Sequence, residues 1–301
     1  MNLQHLTYFV TIAQEEHFTR AAQRLHVSQP ALSRAIRSME EEIGAPLFEK
    51  RGRNVQLTEC GKVFFRYVEQ GIRQIDLGVE EVRNMSRSVG GVLHICSVYG
   101  YSIRHLPELI GRFGMIYPDV TFVLKQVPTR LAISETRAGN SDITFLCDTP
   151  ILHTYTDMEH QFVHREDLVL AVPEGHPLTD RDSVTIQELA GETFVSHDET
   201  AGTYHRTCRM FEEAGLTFRA TQRASDDATL LGLVRNHKGL AIIFYSSALM
   251  ASGIVPIPIA GSDKANMDVL MSVKKKEFYS PTVKAFINFV MEQTKLTENG
   301  M

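Results

Sequence analysis

The stretch "TRAAQRLHVSQPALSRAIRSMEEEIG", residues 19–44, decides how the chain is read. It holds Arg20, Arg24, Arg34 and Arg37 and no acidic residue until Glu40, Glu41 and Glu42 arrive together. The 301-residue chain carries a formal net charge of −5, so this basic run stands against the average. Residues 1–66 hold nine Lys and Arg against seven Asp and Glu, and most of those acids cluster at 15–16 and 40–42. A basic face on an N-terminal domain is the electrostatic footprint of a nucleic-acid binder, although a solvated charged surface has the same composition.

The local pattern turns charge into geometry. Leu3, Leu6, Phe9, Val10 and Ala13 recur at helical spacing and predict a first helix over 3–15. Thr19 is expected to cap a second helix with Ala21, Ala22 and Leu25 facing inward. "HVSQP" breaks the chain, Ser28 is expected to cap a third helix, and Pro30 is tolerated in its first turn. That helix runs to about Glu42, and Gly44 ends it. Ala31, Leu32, Ala35, Ile36, Met39 and Ile43 form its apolar stripe. Gln29, Ser33 and Arg37 recur every fourth residue on the outer face, with Arg34 beside them. These side chains suit base edges in a major groove. The glutamates sit at the wrong end for the helix dipole. They make sense if the helix enters the groove by its N-terminal end and its acidic tail points away from phosphate. "APLFEKRGRNVQLTECG" (45–61) predicts strands at 47–48 and 55–57 with 51–54 at the turn. As a wing, this hairpin carries Arg51 and Arg53 to a minor groove or to flanking phosphates; the alternative is an ordinary basic hairpin.

Residues 17–64, "HFTRAAQRLHVSQPALSRAIRSMEEEIGAPLFEKRGRNVQLTECGKVF", resemble the winged helix-turn-helix of LysR-type transcriptional regulators. The match departs at His17 where Ser is usual, at Met39 for Leu and at Cys60 for Ala, and none of these is a groove-facing position. The resemblance implies double-stranded DNA with an inverted-repeat site, and contact with RNA polymerase. The expected DNA-facing set is Thr19, Arg20, Ser28, Gln29, Pro30, Ser33, Arg34, Arg37, Arg51 and Arg53.

From 60 to 88, Phe64, Tyr67, Val68, Ile72, Ile75, Val79, Val82 and Met85 fall three to four residues apart. This predicts a long helix that pairs with its twin, or one that packs on its own domain. Gly71 and Gly78 weaken it or permit close approach. The resemblance implies a dimerising linker, hence a homodimer or a homotetramer. "SVGG" (88–91) marks a boundary, beyond which strands alternate with helices. Strands are expected at 92–98, 120–127, 142–147, 167–173, 193–197, 216–224, 239–245 and 267–273. Helices are expected over 102–115, 129–138, near 185–190, over 203–214 and 227–237, and from about 281 to 294. The alternation indicates α/β lobes with mainly parallel sheets.

The resemblance extends more weakly here, through "RHLPELIGRFGMIYPDV" (104–120) and "LVLAVPEGHPLT" (168–179). It implies a two-lobed α/β effector domain like a type 2 periplasmic binding protein. Tyr245, where relatives often carry Pro, is a departure. The expected domains are a winged helix-turn-helix over 1–58, a linker helix over 59–89 and a regulatory domain over 90–301. Its lobe I covers about 90–161 and 266–301, and its lobe II about 162–265. Three loops, at 97–102, 127–129 and 201–203, place a small hydroxyl residue at a helix start, where free amides favour an anion. They predict a small carboxylate-bearing metabolite between the lobes, held by Ser97, Tyr99, Gly100, Tyr101, Ser102, Thr129, Gly202 and Thr203. Alternatively Ser102, Thr129 and Thr203 are no more than N-caps, and Tyr99 and Tyr101 either line the pocket or fill it.

No apolar run approaches the roughly 20 residues of a membrane span, and the first residues lack a signal-peptide pattern; a cytoplasmic protein without a membrane partner is expected. Cys60, Cys96, Cys147 and Cys208 form no CxxC, which fits reduced, mostly buried thiols. His153, His160 and His164 suggest a metal cluster, but their segment reads as extended, and no metal or cofactor is expected. Ser196, His197 and Asp198 are consecutive, whereas a triad is assembled by the fold. There is no GxSxG, P-loop or GxGxxG, and 274–276 is a basic run that reads as a solvated face. The chain is therefore expected to be no enzyme. The alternative to a regulator is a solute-binding protein without a transcriptional role.

Overall fold

The computed structural model describes residues 1–51, 54–85, 89–249, 251–261 and 265–298. The chain divides into two units, Met1–Ser86 and Arg87–Met301.

In the first unit, helices α1 (Leu3–Glu15), α2 (Phe18–Arg24) and α3 (Gln29–Ile43) bury Phe9, Ile12, Ala22, Leu32, Ile36 and Met39 in one core. Burying each of the larger side chains contributes about 1.5–3 kcal/mol. The cap of α2 is His17, not Thr19: its Nδ1 accepts the Thr19 amide at 3.2 Å. The imidazole on an extended residue 17 reaches the amide that Thr19, already the second helical residue, cannot satisfy for itself. Ser28 caps α3 through the Ala31 amide, and Gly44, at φ 79°, ends it in the left-handed conformation. Ile43, one turn past Met39, is exposed rather than part of the stripe.

Strands β1 (Phe48–Arg51) and β2 (Asn54–Leu57) pair antiparallel, Phe48 opposite Leu57 and Arg51 opposite Asn54. The ladder is longer than the sequence reading because Arg51 and Asn54 join it. Glu40 does not point away as a free charge. Its Oε1 accepts the amides of Leu47 at 2.7 Å and Phe48 at 3.2 Å, tying the hairpin to α3. Glu42 pairs with the Met1 amine. Helix α4 (Glu59–Met85) anchors in this core through Val68, with Phe64, Phe65 and Ile72 against it.

The second unit begins with parallel strands β3 (Gly91–Ser97), β4 (Val120–Gln126) and β5 (Ile143–Cys147). Helices α5 (Tyr99–Ile103), α6 (His105–Ile116) and α7 (Thr129–Ala138) connect them. The helix expected over 102–115 is two, broken at Arg104, whose φ −123° and ψ −61° leave the helical region. Next comes β6 (Met158–Pro173), a single 16-residue strand where only 167–173 was expected. Then follow β7 (Phe194–His197), α8 (Gly202–Glu213), β8 (Ala220–Ala224), α9 (Asp227–Arg235), β9 (Ala241–Phe244) and α10 (Tyr245–Leu249). Strands β10 (Ile254–Pro258) and β11 (Asn266–Lys274) and helix α11 (Pro281–Glu298) complete the unit. The segment near 185–190 forms only a 3-10 turn, Gln187–Leu189.

The large sheet runs β10-β6-β11-β5-β3-β4, with β9 also on β6. It is mixed rather than mainly parallel. Strand β11 runs antiparallel to both β5 and β6, and β9 and β10 run antiparallel to β6. The first part of β6 pairs with β11; from Leu168 onward it pairs with β9 and β10. One lobe gathers β3–β5, α5–α7 and α11; the other gathers β7–β10 and α8–α10. Strand β10 escaped the sequence reading because Pro256 and Pro258 disfavour a strand, yet an edge strand tolerates them. Among the described residues no helix is long and apolar enough to cross a membrane.

If Glu40 anchors the hairpin, Glu40→Ala lowers the urea stability of the first unit within the full chain by about 1.5–3 kcal/mol, as for hydrogen bonds to a charged acceptor. The exposed neighbour changed in Glu41→Ala stays within about 0.5 kcal/mol.

Candidate functional site

Two surfaces carry the candidate residues. On the first unit, α3 presents Gln29, Ser33, Arg34 and Arg37 away from the core. Gln29 Nε2 donates to Ser33 Oγ at 2.9 Å, holding the amide along the helix. Arg34 and Arg37 are exposed and join no ion pair among the described residues. Arg20 and Arg24 differ: both turn back to Glu15, Arg24 Nη1 at 2.9 Å from its carboxylate and Arg20 donating to its backbone carbonyl. Exposed Arg51, at the end of β1, donates to Gln56 Oε1 at 3.2 Å. Arg53 lies outside the described residues.

On the second unit a narrow cleft, with room of about 20 Å³, lies where the two lobes meet. Its walls are the ends of strands and the starts of helices. Tyr99 and Gly100 follow β3, Thr129 opens α7, Cys147 ends β5, and Gly202 and Thr203 open α8. Neither α7 nor α8 has a side-chain cap; Pro128 and Ala201 occupy the cap positions. Thr129 and Thr203 are therefore not N-caps, and neither is Ser102, the fourth residue of α5. The lobes touch across the cleft through the Arg130 amide, which donates to the Thr200 carbonyl at 3.1 Å. A Cβ on Gly202 would lie 2.8 Å from Cys147 Cβ and 3.1 Å from Thr129 Oγ1, so only glycine permits this approach.

The polar groups of the cleft are connected. Thr203 Oγ1 lies 3.0 Å from His197 Nδ1, and His197 Nε2 lies 2.8 Å from Asp227 Oδ1. Ser247 donates to the other Asp227 oxygen. All four residues are buried. If His197 is neutral with its proton on Nε2, Nδ1 accepts from Thr203 and leaves the hydroxyl lone pairs toward the cleft. If it is an imidazolium, Thr203 has its own proton to offer. Thr129 Oγ1 is buried beside the Cys147 thiol and has no other hydrogen-bond partner among the described residues. Burial pushes the Cys147 thiol up to about 12, against the Thr129 hydroxyl, whose contact lowers it, and with a smaller raising contribution from Asp227. Burial, then Asp226, Asp227 and Asp198, hold the Tyr99 hydroxyl above its usual range.

The expected ligand set is thus partly gathered. Tyr99, Gly100, Thr129, Gly202 and Thr203 line the cleft; Ser97, Tyr101 and Ser102 do not. Ser97 turns its hydroxyl to the Val98 carbonyl. Tyr101 fills the core, stacked on Phe145 at 4.9 Å and on His105 at 5.3 Å. His197, Asp227 and Ser247 were missed. His197 and Asp227 stand at the carboxyl ends of the parallel strands β7 and β8, a position that marks ligand sites in open α/β sheets. The expectation of mostly buried thiols holds for Cys96 and Cys147, while Cys208 is half-buried and Cys60 exposed.

Comparison with known proteins covers both units. The family model "LysR substrate binding domain" matches residues 86–295, and "Bacterial regulatory helix-turn-helix protein, lysR family" matches residues 3–62. The HTH-type transcriptional regulator YnfL of Escherichia coli (strain K12), itself uncharacterized, is 32% identical, covering 95% of this chain and 96% of its own. Full-length CbnR complexed with its target DNA has a TM-score of 0.80 at 22% identity, covering 97% of this chain and 99% of its own. The effector binding domain of QuiR in complex with shikimate has a TM-score of 0.64 at 22% identity, covering 68% of this chain and 98% of its own.

The tight seat of Gly202 gives a signed pair of outcomes for thermal or urea unfolding of the full chain. Gly202→Ala destabilises the second unit by about 1–3 kcal/mol through overpacking. Gly111→Ala, in the α6 interior with open space around the new methyl, stabilises it by about 0.4–1 kcal/mol.

Proposed function

The chain belongs to the LysR family of transcriptional regulators, and from that premise we propose how it reads DNA and what it senses. It is a DNA-binding regulator with an effector-binding domain and not an enzyme. In our reading α3 enters the major groove with Gln29, Ser33, Arg34 and Arg37 at base edges. Thr19, Arg20, Ser28 and Pro30 flank the groove, and Arg51 and Arg53 of the wing meet the neighbouring backbone or minor groove. The observation that carries this is the contrast among the arginines. Arg34 and Arg37 are exposed and unpaired among the described residues, whereas Arg20 and Arg24 are drawn to Glu15. CbnR, of the same fold, is known complexed with target DNA.

We assign residues 1–58 to the DNA-binding domain, 59–89 to a dimerising linker and 90–301 to the regulatory domain, its second lobe spanning about 162–265. Val63, Tyr67, Ile75, Val79 and Val82 are exposed along α4, which supports pairing with a second copy as a homodimer or a homotetramer of such pairs. Met85 belongs to the same expected stripe, but its side chain lies outside the described residues. Two-fold pairing matches an inverted-repeat site. Cytoplasmic location and contact with RNA polymerase belong to this proposal.

The effector we propose is a small hydroxy or amino acid. Its carboxylate meets the N-termini of α7 and α8, which lack side-chain caps and where the dipole and the amides left over beside Arg130 favour an anion. The buried Thr129 hydroxyl beside the Cys147 thiol supports a ligand there. Asp198, Asp226 and Asp227 around Tyr99 favour a donor group, hydroxyl or ammonium, at the other end. QuiR, with its shikimate, is a neighbour of the same fold that binds a hydroxylated acid. Ligand acts by preferring one lobe arrangement over another.

Arg34→Ala with Arg37→Ala is expected to weaken binding to the cognate promoter about tenfold or more and to flatten its preference over random duplex, since each bidentate base contact contributes roughly 1–3 kcal/mol. Fluorescence anisotropy at near-physiological salt measures this, and unchanged affinity and preference would sink the groove assignment. For the effector, the melting point of the full chain should rise with the true hydroxy or amino acid by mass action. That rise should shrink in Thr129→Val. A panel of such acids that leaves the melting point unmoved refutes the carboxylate reading.

A further inference from the structure

Outside the residues that line the cleft, three side chains from two separate elements of the second unit converge on one point. His164 and Glu166 lie two apart on β6, so the strand period puts them on one face. His105 comes from the first residue of α6. His105 Nε2 and His164 Nε2 each lie 2.8 Å from the same oxygen, Glu166 Oε2. The candidate ligand atoms of all three lie within 4.8 Å of one another. As an ion pair the arrangement is redundant, because one imidazole suffices to partner one carboxylate oxygen. The rings are only 4.0 Å apart at their centroids, so two imidazoliums would repel. As a ligand set it is economical, since both ring nitrogens and the carboxylate aim into a common volume.

We propose that His105, His164 and Glu166 bind a first-row divalent transition ion of the zinc type. Two imidazoles and a carboxylate suit Zn²⁺ or its neighbours, whereas Ca²⁺ and Mg²⁺ want all-oxygen shells. Bond lengths of about 2.0–2.2 Å at tetrahedral angles put ligand atoms roughly 3.3 Å apart, so the two 2.8 Å nitrogen–oxygen separations open by about half an ångström and the two nitrogens, now within 4.8 Å of each other, settle at the same spacing. Binding displaces the proton on each Nε2, and water completes the shell from the solvent side, where both histidine side chains are about a quarter exposed. The surroundings hold the ligands in place, as an outer shell should. The Ser246 amide donates to Glu166 Oε1 at 2.8 Å, and Tyr101 stacks on the His105 ring. Burial works to raise the Glu166 carboxyl, but hydrogen bonds from His105, His164 and the Ser246 amide outweigh it and hold the group well below the usual carboxylate range.

The position has a regulatory consequence. Glu166 pairs with Met267 of β11, and two residues later Leu168 pairs with Phe244 of β9, so the site sits where β6 changes lobes. Ser246, on α10 of the second lobe, already reaches it. An ion here pins α6 to the crossing point.

The test uses the full chain stripped with a chelator and titrated with Zn²⁺ against a chromogenic competitor, and separately with Co²⁺ to read its visible tetrahedral bands. One equivalent per chain with tetrahedral Co²⁺ bands is expected, with affinity lowered at least tenfold in His105→Gln and in His164→Gln. Absence of binding, or unchanged affinity in both variants, overturns the proposal; the latter puts the ion on another pair, such as His153 with Asp148. Should the variants fail to fold, chemical acylation of the wild-type histidines, read by mass spectrometry, decides. Zn²⁺ should slow modification of His105 and His164 at least tenfold while the exposed His26 and His237 stay reactive. Equal reactivity with and without Zn²⁺ overturns the proposal.

Discussion

The second unit depends on one strand serving two masters. Backbone amides and carbonyls inside a protein must be paired, and β6 meets that demand twice over: with β11 for its first part, with β9 and β10 for the rest. The same strand is thus a member of the sheet of each lobe. Kept whole, it fixes the lobes side by side with the carboxyl ends of β3, β5 and β7 facing a shared gap. The cleft is a by-product of that constraint. Everything lining it, from Tyr99 to Asp227, occupies the end of a strand or the start of a helix.

The first unit rests on a smaller device of the same kind. Glu40 belongs to α3 by sequence and to the hairpin by hydrogen bonding. Helix and hairpin are therefore tied to each other by a single side chain. The acid run that closes α3 has an architectural cause for Glu40 and Glu42, and only Glu41 is left as a plain solvated charge.

Local chemistry was legible in the sequence. Ser28, Gly44 and the apolar stripe of α3 act within a few residues of themselves, and those signals hold. So does the alternation of strands and helices that gave the lobes. What failed was non-local or unusual. His17 displaced Thr19 as a cap because an imidazole nitrogen can do what a hydroxyl does, and cap statistics favour the hydroxyl. Strand β10 hid behind two prolines. Tyr101 was placed beside the ligand because it follows a strand, but its ring had Phe145 and His105 to stack on. The chain Thr203–His197–Asp227–Ser247 joins residues up to 50 positions apart. Seeing it required knowing that β7 and β8 lie parallel.

The sulfur of Cys147 sits at the floor of the cleft, in contact range of Thr129 and Gly202. Burial keeps that thiol protonated far above any cellular pH. The thiolate is the form that reacts with peroxides and disulfides, so a sulfur held protonated is a poor partner for either. The regulatory domain thus places a cysteine at its most sensitive point without becoming an oxidant gauge. At this position the sulfur serves packing, and the shape of the gap does not turn on its oxidation.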